Sequence, residues 1–256
     1  MIDFLPYIVK SGLSFAVFYV FYLCLLKKET SLNFNRFYLI GTAILAVVAP
    51  LLTLNLTAFG LGQTMVAAAP TTDVVYTTAE VYTISETTVA TNAINWNTVL
   101  KHTLIGLYLF GFSALLFRFM FNLTNVIRNI IKGEKLSLHQ LTLVLNQKDT
   151  APHTFLKYIF LNKKLYQAGA IENDIITHEK AHVEQWHSID IILMELFKIV
   201  FWFNPFVWLY KRDIQLNHEY LADQAVIKET PIIQYQTAII RAVSYTHLTL
   251  PTKPSV

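Results

Sequence analysis

Charge is scarce in this sequence. Only 14% of its 256 residues are Asp, Glu, Lys or Arg, where a soluble domain carries about 25%. There is one cysteine, Cys24. It excludes an intrachain disulfide and a cysteine-built metal cluster, and reads as a small buried or lipid-facing hydrophobe. No basic run interleaved with aromatics is present and the net charge is only +3, which sets direct nucleic-acid binding aside. Apolar residues stand in place of charge: 54% of the chain is hydrophobic and the mean hydropathy is +0.43. That excess is a membrane signal before any segment is inspected.

The apolar residues fall in runs. Phe4 to Leu26 is interrupted only by Lys10 and is long enough for a spanning helix of about 20 residues. No basic segment precedes it and no small-residue cleavage site follows, so it reads as a retained anchor rather than a signal peptide. Lys27, Lys28 and Arg36 flank the next connection. Phe37 to about Leu61 is an uncharged second span, with Pro50 expected to kink it; residues 1–63 thus hold two transmembrane helices. Residues 64–98 are Thr-rich, mildly acidic and lack Lys and Arg until the next span; they read as a loop. Val99 to about Phe121 is a third span, followed by Arg128, Lys132 and Lys135. Positive residues mark cytoplasmic loops. They put the connection after the first span and everything just past Phe121 inside, and the N-terminus and the Thr-rich loop outside.

The segment from 122 to 242 carries chemistry. His178-Glu179-Lys180-Ala181-His182 is H-E-x-x-H. Residues four apart share one helical face, so two imidazoles can grip one Zn²⁺ while Glu179 acts as general base on the attacking water. Catalytic zinc takes a third protein ligand. Glu219 and Asp223 lie four apart in "NHEYLADQAV": Glu219, with the longer reach, is the expected ligand, and Asp223 is expected behind it, fixing a ligand imidazole's tautomer. His218 competes as a ligand but points about 100° away from Glu219 on that helix. His102, His139, His153 and His187 read as surface or interfacial, His187, one helical turn and a residue past His182, being off the ligand face.

Between the motif and Glu219 lies an apolar stretch. A single crossing would part the two by roughly 30 Å, so the chain must turn back. "FNP", Phe203 to Pro205, is the natural turn, because the residue before proline is pushed off the helical region. Ile189–Phe203 and Phe206–Gln215 are expected as a membrane hairpin. Asp190, Glu195 and Lys198 in its first leg suit a protein-facing surface better than lipid.

H-E-x-x-H, then an apolar stretch with "FNP", then E-x-x-x-D resembles the membrane zinc peptidases of the BlaR/MecR type, the beta-lactam sensor-transducers. "HTFLKYIFLN", His153 to Asn162, is similar to the element ahead of that family's motif, with Asn162 where the family has proline. The resemblance, drawn over Met1 to about Ile240, implies His178, His182 and Glu219 as zinc ligands, Glu179 as base and Asp223 as a supporting residue. Asp190, eight after His182, falls where the family often has an acid. It also implies a multi-pass protein of the bacterial cytoplasmic membrane that responds to an external signal by cleaving a cytoplasmic repressor, or itself. The expected architecture is mostly α: three transmembrane helices, then a membrane-associated zincin-like core with a small strand element, Tyr158–Leu161, and a hairpin over about 189–215. A membrane quality-control zinc protease shares the same motifs, and a catalytically silent receptor or scaffold is the reading from another class, against which Glu179 argues. Residues 243–256, "VSYTHLTLPTKPSV", look like the in-frame translation of a sequencing adapter, so the fold is read without them and a last span and sensor domain are expected beyond.

Overall fold

A computed structural model describes residues 4–52, 96–138, 141–147, 150–238 and 240. Most of the Thr-rich stretch, the end of the second span, His139 and the tail from 243 lie outside the described residues. Three helices are long and apolar enough to cross a bilayer, so the chain is a membrane protein, mostly helical, with one small sheet.

Helix α1 covers Phe4–Phe21 and runs on through a π-helical turn, Tyr22–Leu26. Cys24 lies there, exposed. Helix α2 covers Leu32–Val48 and tightens to 3₁₀ geometry at Ala49–Leu51, around Pro50. It begins earlier than expected, so Arg36 belongs to the helix rather than to the connection. Nothing in Leu32–Phe37 breaks a helix, and Arg36 finds a partner there, described below. Helix α3 is one continuous element, Trp96–Lys132. At 1.5 Å per residue it is about 55 Å long, well beyond the roughly 30 Å of hydrocarbon. The helix expected as a third span therefore continues past Phe121.

Contacts divide the chain into two units, Leu52–Tyr108 and the remainder; the sheet, the hairpin and the site all belong to the second. Strands β1 (Glu134–Leu138), β2 (Leu141–Asn146), β3 (His153–Phe155) and β4 (Tyr158–Asn162) form a sheet in the order β1-β2-β4-β3. Only β2 and β4 are parallel. Period-two alternation turns Leu143, Leu145, Ile159 and Leu161 to one face, where Ile171 and Val183 cover them. Asn162 ends the sheet and caps α4 (Lys163–Gln167), its side chain accepting from the amides of Lys164 and Leu165. That explains a polar residue, buried, at this position.

Helix α5, Asn173–Glu184, carries H-E-x-x-H. It ends at Trp186, which adopts a left-handed conformation with φ of 58°, and α6 starts at once, His187–Val200. The chain then turns at Phe203-Asn204-Pro205. The Asn204 side chain accepts from the amide of Phe206, and Pro205 opens α7, Pro205–Ile227. The hairpin is therefore present, with its second leg longer than expected: one helix carries both the apolar return and Glu219 and Asp223. It packs on the spans. Phe15 and Tyr19 of α1, Leu39 and Ala43 of α2, Met194 of α6 and Tyr210 of α7 share one buried core. Buried polar groups tie the same layers: Tyr19 donates to Asp213 at 2.8 Å, and Thr42 and Tyr210 bond through their hydroxyls at 3.0 Å. Glu195 is paired with both Lys198 and Lys211, which accounts for charges in an apolar leg.

Candidate metal centre

Helix α5 faces β3 with one side and α7 with another. Its i, i+4 spacing stacks His178 over His182, with their Nε2 atoms 3.2 Å apart. Glu219 reaches in from α7: its carboxylate oxygens lie 3.4 Å from His178 Nε2 and 3.8 Å from His182 Nε2. One atom from each residue falls within 4.8 Å of the others. The three border a cavity of about 340 Å³ that also touches Thr154, Phe155 and Ile191.

The outward nitrogens decide what the inward ones can do. His178 Nδ1 is 3.1 Å from Asp223 Oδ1 and 2.9 Å from the Tyr235 hydroxyl, which itself donates to Asp223 at 2.7 Å. A carboxylate only accepts, so the His178 proton is on Nδ1. His187 Nε2 donates to the Gln185 side-chain carbonyl at 3.2 Å. That leaves His187 Nδ1 as an acceptor, and His182 Nδ1, 2.8 Å away, as the donor to it. Both Nε2 atoms thus present lone pairs to each other and to a carboxylate. Three donors aimed at one point without a proton between them repel unless a cation is held there. The donor set, two imidazoles and a carboxylate, suits Zn²⁺ and leaves a coordination position open.

The carboxylates around the pair favour a positive charge at this point, whether a second proton on His178 or a metal cation. Burial pulls His178 down, but its bond to Glu219 and the carboxylates of Glu179 and Asp223 outweigh burial and leave it raised. Burial, with His178 and His218 adding to it, takes His182 from its usual 6.5 to about 4. The hydrogen bond with His178 holds Glu219 below the ordinary range. Glu179 is buried, and burial raises its pKa although the Thr154 hydroxyl, donating to Oε2 at 2.6 Å, works the other way. A carboxylate raised in this way suits a group that takes and returns a proton.

The structure brings His178, Glu179, His182, Glu219 and Asp223 together. Asp190 does not join them: it touches neither imidazole and instead accepts from Arg36 at 2.7 Å and pairs with His218 at 2.9 Å. His218 is buried and its Nε2 is taken by that acid, although it also borders the cavity. His187 is a correction. It is buried rather than at the surface and contacts His182 directly. The helical phase counted from His182 is lost at Trp186, where the left-handed residue starts a new helix. Thr154 and Tyr235 went unnoticed in the sequence. Only a strand on the far side of α5, and a helical stretch at 232–238, bring them near. His153 is exposed, its ring stacked on Phe160 at 4.7 Å.

Two comparisons bear on this geometry. Residues 157–248 match the family described as BlaR1 peptidase M56. That stretch holds His178, Glu179, His182, Glu219, Asp223 and Tyr235; it leaves out the three spans and Thr154, and includes the first residues of the tail read as foreign. The chain is also similar to the regulatory protein BlaR1 of Staphylococcus aureus, 30% identical over 102 residues, which cover 37% of this chain and 17% of that protein. Both comparisons support a BlaR1-type peptidase family for this segment.

Proposed function

We propose that this chain is an integral membrane zinc endopeptidase of the sensor-transducer type, cleaving a cytoplasmic repressor, or itself, in answer to an external signal. The observation that carries the enzymatic part is the convergence of His178 Nε2, His182 Nε2 and a Glu219 oxygen on one point beside the buried Glu179. Zinc held by those three would supply Lewis acidity toward the scissile carbonyl and toward water. The chain's own groups do the rest. Glu179 takes a proton from the attacking water as its oxygen bonds to the carbonyl carbon, and returns it to the amine nitrogen as the C–N bond breaks. Thr154 holds the Glu179 carboxylate in one rotamer through its 2.6 Å bond. Asp223 and Tyr235 on one side and His187 on the other keep Nε2 of each ligand free.

The signalling part rests on the similarity to the BlaR1-type family and on placement. Arg36, close to Lys27 and Lys28, reaches the C-terminal end of α5 at the Gln185 carbonyl, 2.6 Å away. The site therefore lies at the positively charged end of α1 and α2, the end the positive-inside rule assigns to the cytoplasm.

The test uses the full chain in detergent with a proteome-derived peptide library, read by mass spectrometry, beside zinc analysis. Glu179→Ala is expected to keep zinc and lose cleavage. Glu219→Ala is expected to lose most of the zinc. A Glu179→Ala protein that cuts at the wild-type rate would remove the general base; unchanged zinc in Glu219→Ala would remove that ligand.

A further inference from the structure

The second nitrogen of a metal-binding histidine is usually held by a carboxylate, a backbone carbonyl or water. His178 follows that rule through Asp223. His182 does not: its Nδ1 bonds to another imidazole, His187. A neutral imidazole is a weak anchor unless something fixes it in turn, and the residues behind it do so in sequence. The His187 ring lies flat on the His218 ring, centroids 3.9 Å apart and planes within 8°. His218 Nε2 is 2.9 Å from Asp190 Oδ2. The same oxygen accepts from Arg36 Nε at 2.7 Å, and Arg36 Nη2 donates to the Gln185 carbonyl at 2.6 Å. His187, His218 and Asp190 are all buried, and the Arg36–Asp190 pair is 11% exposed on each side.

Four elements meet in this chain of contacts. Arg36 is on the α2 span. Gln185 ends α5, the helix of the H-E-x-x-H motif. Asp190 and His187 are on α6, and His218 is on α7 next to Glu219. The guanidinium forks between the last carbonyl of the motif helix and the acid of the hairpin, a geometry a single ammonium does not reproduce. The cation also lies at a helix C-terminus, where it is favoured.

We propose that Arg36, Asp190, His218 and His187 form a positioning relay that fixes the orientation of His182 to the transmembrane helix α2. The proposal deepens the reading given above and rests on it: the relay is the physical link by which the state of a span reaches the metal centre. None of its members touches substrate. They act by setting where His182 Nε2 points. A displacement of α2 pulls Asp190 and the end of α5 together, so span and centre change as one body. An ordinary structural ion pair in the same place would support the fold but would leave the metal affinity alone.

The experiment measures zinc affinity by chelator competition, and the visible spectrum of the cobalt(II) form, on the full chain in detergent. Neither readout needs proteolysis. Arg36→Ala is expected to weaken zinc binding by about 10- to 100-fold, the usual cost of losing an outer support, and to alter the cobalt bands. Arg36→Lys, which keeps a cation on Asp190 but loses the fork to the Gln185 carbonyl, is expected to recover only part of the affinity. In a His187→Ala background Arg36→Ala is expected to cost less than it does alone, because the link through His187 is already cut and only the bond to the Gln185 carbonyl remains. His218→Phe keeps a ring on His187 but cuts it from Asp190, so it repeats the test with Arg36 in place should Arg36→Ala fail to fold. Wild-type affinity and spectrum in Arg36→Ala, or in His218→Phe, would overturn the relay and leave the peptidase reading standing. So would an undiminished Arg36→Ala effect without His187. A wild-type chain that binds neither metal would overturn both.

Discussion

Thr154 shows how much one small side chain can control. Its hydroxyl is the one hydrogen-bond donor to the Glu179 carboxylate recorded among the described residues, and Glu179 is otherwise buried. Without it the carboxylate is free to rotate while its charge loses a partner. Thr154→Val is expected to lower the turnover number by about tenfold with zinc content unchanged, in line with the usual loss from outer-layer changes. Thr154→Ser keeps the hydroxyl and should stay near wild type. Steady-state cleavage of a peptide found in the library, beside metal analysis, checks both. The residues of the centre differ in how readable they are. His178, Glu179, His182, Glu219 and Asp223 are legible because two helical repeats of four fix their faces without knowledge of the fold. Thr154, Tyr235 and His187 are not, since each reaches the centre across a break in local periodicity. Asp190 is legible as an acid but not in its role: which partner it takes depends on how α2 packs against α6.

Two breaks in helical phase make the site. At the first, Trp186 holds φ of 58° between α5 and α6 and is mostly exposed at 64%. A left-handed residue that is not glycine costs roughly 1–2 kcal/mol, and nothing in the sequence signals it, because tryptophan has no preference for that region. Its amide donates to the Val183 carbonyl at 3.1 Å. Trp186→Gly should therefore retain zinc and thermal stability close to wild type. Trp186→Pro fixes φ near −65° and removes the amide, so it should swing α6 off α5, separate His187 from His182 and lower the zinc affinity together with the melting temperature. A Trp186→Pro protein with both values intact would mean that the break does not position the helices. The second break is Asn204-Pro205, and it is readable because proline and the Asn cap act locally. Its consequence, a single helix from Pro205 to Ile227, is readable only after the packing of Tyr210, Asp213 and Asn217 against α1 and α2 is known. The close approach of α3 is marked by Gly111, where the Trp202 ring leaves no room for a Cβ; glycine spacing alone would not have indicated it.

At the scale of the molecule the bilayer explains the layout. Apolar α1 and α2 are long enough to span. The hairpin adds two more helices to the same core, its charges paired internally, and the polar end of α7 emerges beside α5. The centre is thus fixed at one end of the bundle, the end that carries Lys27, Lys28 and Arg36. Arg36 contacts the end of α5 directly, so the centre must share a side with that end of α2, whichever side it is. We propose the cytoplasmic side, from the charge distribution. Lys and Arg follow α1 and follow α3, whereas none lies between Leu52 and Asn97, and retention of positive residues in the cytoplasm orients such a chain. The single cysteine makes the orientation measurable. In a Cys24→Ser background, Lys180→Cys on the outer face of α5, where the side chain is 52% exposed, should react with a membrane-impermeant maleimide only after cells are permeabilised. Thr78→Cys, in the Thr-rich stretch, should react in intact cells. The reverse pattern would place the metal centre outside, where no cytoplasmic repressor reaches it, and the substrate would then have to be an external protein or the chain itself. Labelling of both in intact cells would mean that α3 does not return the chain across the bilayer, and the length of α3 beyond the hydrocarbon would need to be read as a surface helix.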